Sequence, residues 1–111
     1  MYIKFDKSNE ILIATLIGEL DHHSSEEVRN KIDYRLDNED IKKLILNFSG
    51  VTFMDSSGIG VVIGRYKKVT MKNGSVSVVA VNSRIKKIFE LSGMYKIINE
   101  YDTLEEAIGN N

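Results

Sequence analysis

The sequence predicts a single α/β domain in which a mixed sheet of about four to five strands carries helices, in the order β-β-α-β-α-β-α-β-α. Three observations predict it. Short runs of β-branched and aliphatic residues recur along the chain, and stretches of helical periodicity separate all but the first two. Those first two runs adjoin across a turn, as in a hairpin. The 111 residues contain no proline, low-complexity segment, internal repeat or linker, so one domain over residues 1–111 is expected.

Residues 2–5 alternate apolar and polar, as a half-buried strand does. Residues 11–17 are almost continuously apolar and read as a central strand, with Ser8-Asn9-Glu10 as the turn before it. Ser24 stands three residues before Glu27, the spacing of a capping box, and Glu26 and Glu27 suit the positive end of a helix. Val28, Ile32 and Leu36 continue as an apolar stripe to a helix end near Asp37-Asn38. Leu44–Phe48 reads as the next buried strand, followed by a loop.

A second helix is expected from about Ser57 to Lys72, with Ile59, Val62, Ile63, Tyr66 and Val69 toward the core. Lys67, Lys68 and Lys72 suit its negative end, and Asn73-Gly74 stops it. Val76–Val81 reads as a fourth strand. Ser83 is the expected cap of a helix ending at Ser92-Gly93, Ile97-Ile98 the last strand, and Thr103 with Glu106 a capping box for a final helix.

Bulk composition excludes several functions. Fifteen basic residues against sixteen acidic ones leave a net charge of −1, without the basic footprint of a nucleic-acid binder. The absence of cysteine removes disulfides, thiolate nucleophiles and sulfur-ligated zinc. No basic leader precedes a long apolar run, and no apolar run approaches the ~20 residues of a membrane span. A soluble, cytoplasmic protein without membrane insertion is expected.

The candidate site is Met54-Asp55-Ser56-Ser57-Gly58, a strand-to-helix turn of the kind at which α/β sheets meet ligands and partners. Asp55, Ser56 or Ser57 could each cap the helix, worth about 1 kcal/mol, and capping alone would explain one of them. Three in a row exceed that need. Gly58, Gly60 and Gly64 add a glycine-rich first half, each costing up to about 1 kcal/mol relative to alanine. Gly60 and Gly64 share a face that either packs closely on the sheet or lets a partner reach the backbone.

Catalytic patterns fail on spacing. A dinucleotide fingerprint starting at Gly58-Ile59-Gly60 would need a small residue where Ile63 stands and an acid near Ser77–Ala80. A nucleophile elbow around Ser57 would need glycine at Asp55. No Gly-Lys-Ser or Gly-Lys-Thr marks a P-loop, and the acidic pair and late lysine of a receiver domain are missing from their places. His22 and His23 have no third metal ligand nearby in sequence. A serine at a helix N-terminus, open to modification, remains. A phosphate there would be tolerated by the fold, yet a partner covering the turn would have to desolvate a charge of about −1.5 to −2.

These residues carry a resemblance. Asp55-Ser56-Ser57-Gly58-Ile59-Gly60, with Gly18–His23, Gly64–Lys67 and Leu91–Ile98, resembles the STAS domain of anti-sigma factor antagonists over essentially the whole chain. The likeness is to the sporulation members of that family, which act on the anti-sigma F factor in spore-forming Gram-positive bacteria. It implies a protein that is not an enzyme and needs no cofactor, but is the substrate of a serine kinase. The unphosphorylated form would bind that kinase, an anti-sigma factor with bound ADP or ATP, and so release the sigma factor. Phosphorylation at Ser57 would end the interaction, and a serine phosphatase would restore it. Asp55, Ser56, Gly58 and Gly60 would belong to the partner surface, and Asp21 would touch the kinase. A stress-response antagonist, or a nucleotide- or small-molecule-sensing STAS domain, are the alternatives.

Overall fold

The computed structural model describes residues 1–110. Its elements run β1 (Tyr2–Ser8), β2 (Ile11–Leu20), α1 (Ser25–Asn38), β3 (Lys43–Met54), α2 (Ser56–Thr70), β4 (Ser75–Val79), α3 (Ser83–Ser92), a 3-10 turn (Met94–Lys96), β5 (Asn99–Tyr101) and α4 (Leu104–Gly109). The expected order is therefore found. One five-stranded sheet has the order β1-β2-β3-β4-β5, antiparallel between β1 and β2 and parallel thereafter.

Parallel crossovers of one hand that always step in one direction must leave their helices on one face. Accordingly Val28, Ile32 and Leu36 of α1, Val62 and Val69 of α2, and Ile85 and Phe89 of α3 share one core. That core rests on Leu12, Ala14 and Leu16 of β2 and on Leu44, Leu46 and Phe48 of β3. The intervening residues point the opposite way, as the strand period of two requires. There Ile13, Ile45 and Val79 form a smaller cluster under Ala107 and Leu104 of α4.

Several local expectations are corrected. The spans read as Ile11–Ile17 and Leu44–Phe48 run on as strands to Leu20 and Met54, through two register irregularities near Ile17 and Gly18. Local composition at Ser49-Gly50 suggests a loop, whereas long-range pairing with β2 keeps the backbone extended. Gly50 is needed there because a Cβ would lie 2.9 Å from Ile17 Cγ1. The capping box at Ser24 does not form, since its backbone is helical and its hydroxyl bonds elsewhere. Asn82, not Ser83, caps α3 by accepting the Ile85 N–H at 3.0 Å. The fourth strand ends at Val79, because Ala80 turns to a φ of 57°. The fifth starts at Asn99 rather than Ile97, which follows the 3-10 turn. Thr103 does cap α4, accepting the Glu106 N–H at 3.2 Å.

Candidate functional site

The parallel register places Leu20 of β2 opposite Met54 of β3, so both strands end side by side. The turns that follow, 21–24 into α1 and 55–58 into α2, are therefore neighbours. Asp55 ties them together. Its Oδ1 accepts the Ser57 N–H at 2.8 Å, capping α2, and its Oδ2 accepts the His22 N–H at 3.1 Å. The Asp55 N–H in turn reaches Leu20 O at 3.3 Å. One carboxylate thus fixes the geometry of both turns.

Asp21 turns its side chain into its own loop. Its Oδ1 accepts the N–H groups of His23 at 2.9 Å and Ser24 at 3.1 Å. Ser24 Oγ donates to Glu19 O at 2.7 Å and accepts the Asp21 N–H at 3.0 Å. Burial alone would push the Asp21 carboxyl up, but the bonds from Ser24 and His23 outweigh it and hold it below its ordinary value. The rings of His22 and His23 meet edge to face at 5.5 Å. Among the described residues no cluster of three or more His, Cys, Asp or Glu could hold a metal.

With Asp55 serving as the cap, the two serines are spare. Among the described residues neither Ser56 Oγ nor Ser57 Oγ makes a hydrogen bond. Ser56 is exposed and Ser57 half-buried. Gly58 is placed differently from its neighbours: it is buried, and a Cβ there would lie 2.3 Å from Met54 Cγ and 3.2 Å from Leu20 Cδ2. It shapes the turn from beneath. Gly60 and Gly64 face the other way, with nothing within 4 Å of a would-be Cβ at either. Packing on the sheet does not account for them.

Ser57, Gly60 and Val61 form one wall of a groove of about 390 Å³, and His22, Ser25, Glu26 and Arg29 form the other. Below it, α1 and α2 are joined by charge. Arg65 is 5% exposed, and its Nε lies 2.8 Å from Asp33 Oδ1. The N–H is not aimed for a hydrogen bond, and Arg65 Nη1 is also buried without one. Burial pushes the Arg65 guanidinium down from its ordinary value, Asp33 opposes the fall, and the charge of Arg29 adds to it. Lys68 Nζ bonds Asp37 Oδ1 at 2.8 Å. Sequence reasoning overlooked Arg29 and Arg65. Their spacing from Ser25 and Val61, four residues each, was the available signal.

The structure therefore unites Asp55, Ser56, Ser57 and Gly60 on one surface, sets Asp21 beside it, and places Gly58 under it. The STAS domain family matches residues 2–107. An anti-sigma F factor antagonist of Paenibacillus polymyxa is 36% identical, over 97% of this chain and 92% of its own. An anti-sigma-B factor antagonist of Bacillus subtilis is 31% identical over 84% of each chain. The anti-sigma factor antagonist SpoIIAA in its unphosphorylated form superposes with a TM-score of 0.78 at 30% identity, covering 97% of this chain and 96% of that one. The phosphorylated form of Bacillus SpoIIAA gives 0.78 at 32% identity and 97% coverage of both chains. The chain belongs to the STAS domain family, among the anti-sigma factor antagonists.

Proposed function

We propose that the unphosphorylated chain binds an anti-sigma factor through the paired turns and the bare face of α2, and thereby frees sigma F. That partner is a serine kinase with bound ADP or ATP. It phosphorylates Ser57, the phosphoprotein dissociates, and a serine phosphatase restores the binding form. The chain is the substrate in this cycle. The observation that carries the reading is the division of work at the turn: Asp55 does the capping, so the serine hydroxyls have no structural duty. The choice of Ser57 over Ser56 rests on the family resemblance, and is supported by the position of Ser57 in the groove with Gly60.

Electrostatics makes such a serine a switch. A phosphate at the first turn of α2 lies at the positive end of the helix, so the isolated fold tolerates it. The equal TM-scores of this chain to both forms of SpoIIAA support that expectation. A docked partner must strip water from the dianion, which costs several kcal/mol and lowers affinity by orders of magnitude. Incubation with an anti-sigma F kinase and ATP, followed by site mapping, should find one phosphate, on Ser57. Ser57→Ala should bind the kinase and resist phosphorylation, and Ser57→Asp should bind weakly. A single phosphate on another residue sinks the reading.

The anti-sigma-B factor antagonist of Bacillus subtilis supports a second assignment, to a sigma-B pathway. Competition between anti-sigma F and anti-sigma-B kinases for the unphosphorylated chain separates the two.

A further inference from the structure

We propose that Arg29 is the internal counter-ion of phosphoserine 57, and that the groove between α1 and α2 receives the phosphate. The proposal rests on the reading of Ser57 as the modified residue. The groove is lined by the two residues a phosphate requires, Ser57 with a hydroxyl to carry it on one wall and Arg29, a guanidinium-bearing residue, on the other. Arg29 makes no ion pair among the described residues, and it adds to the positive charge around buried Arg65. An anion between Ser57 and Arg29 would relieve that repulsion.

The charged and titratable groups around the phosphate are Arg29, His22 and Glu26 from α1 and its leading turn, Asp55 from the α2 turn, and Arg65 deeper between the helices. Glu26 and Asp55 oppose the phosphate, and Arg29 is the groove's permanent cation. A phosphate drawn toward Arg29 also lies over Gly60, which lines the same groove. The modification then does two things at once: it adds charge to the partner surface and fills the space that Gly60 leaves open.

The test installs phosphoserine at position 57 of the full chain by codon reassignment, so it does not depend on a kinase. Phosphorus NMR follows the second ionisation of the phosphate, whose ordinary midpoint is near pH ~6. The midpoint should be roughly half a pH unit higher in R29Q than in the wild-type sequence, while R29K keeps most of the wild-type value. Equal midpoints in the two folded proteins overturn the proposal. His22 lines the same groove, so the comparison is repeated in an H22Q background, where the Arg29 effect should persist. A second readout needs no variant at Arg29: its Nε–H signal in the wild-type phosphoprotein should shift as the phosphate ionises. A stationary signal overturns the proposal even if R29Q fails to fold. Site mapping on the unmodified chain reports on the underlying function separately, because a kinase target other than Ser57 would defeat that function without changing the midpoint.

Discussion

Asp55 carries more of the site than any other residue, because each of its carboxylate oxygens holds a different turn. Oδ1 caps α2 and Oδ2 takes the His22 N–H that enters α1. A cap alone is worth about 1 kcal/mol, and the second bond is a charge-assisted one near the surface. Asp55→Ala should therefore cost about 2 kcal/mol in urea unfolding, whereas Asp55→Asn, which keeps one acceptor, should cost about half that. An undiminished stability in Asp55→Asn would mean that Oδ2 contributes nothing, and losses equal to those of Asp55→Ala would mean that the retained acceptor contributes nothing. In the sequence, Asp55 was one of three interchangeable candidates for the cap. Only the structure separates them, since which oxygen reaches which N–H depends on where the neighbouring strand ends. Asp21 and Ser24 show the same limit: the capping-box spacing at Ser24-Glu27 was legible, but Asp21 supplies the acceptor instead.

Helix α2 is under two opposing demands. Its inner side buries Val61, Val62 and Val69, while Gly60 and Gly64 weaken it with no local packing to require them. Gly60→Ala and Gly64→Ala should each raise stability by about 0.5–1 kcal/mol in thermal or urea unfolding. On the proposed docking face, the same substitutions should weaken binding to the anti-sigma factor, because a methyl group would occupy space now open at either glycine. Stabilisation without any loss of affinity would take the glycines out of the interface. The seam with α1 makes a second claim at this scale. Asp33→Ala would leave Arg65 buried and uncompensated, costing about 2 kcal/mol, somewhat less than an interior pair because Asp33 is 23% exposed. Arg65→Met should cost less, since Asp33 keeps solvent and has Lys68 at 3.9 Å. Urea unfolding of both variants checks the order, and the reverse order would contradict it.

At the scale of the whole molecule, the element order and the helix faces were legible because hydrophobic period is a local property of the chain. Val28-Ile32-Leu36 reads the same in the sequence and in the core. Strand length was not legible: β3 outruns its apolar segment to Met54 because β2 lies beside it, and no local window contains that information. Nor did the sequence reveal that three helices share one face and α4 alone covers the other. That division yields the last prediction. The smaller cluster of Ile13, Ile45, Val79 and Ala107 lies across the sheet from the larger core, and no residue of α4 lines the groove at Ser57. Ala107 is fully buried, so Ala107→Asp would place a carboxylate in apolar surroundings and undock α4. Stability should fall by about 2–4 kcal/mol in urea unfolding. Below the new melting temperature, the phosphorylation of Ser57 proposed above should proceed within about twofold of the wild-type rate, because the β2–β3 pair that holds both turns belongs to the larger core. A parallel loss of phosphorylation would show that the two faces of the sheet are coupled, and that the far helix helps to set the geometry of the switch.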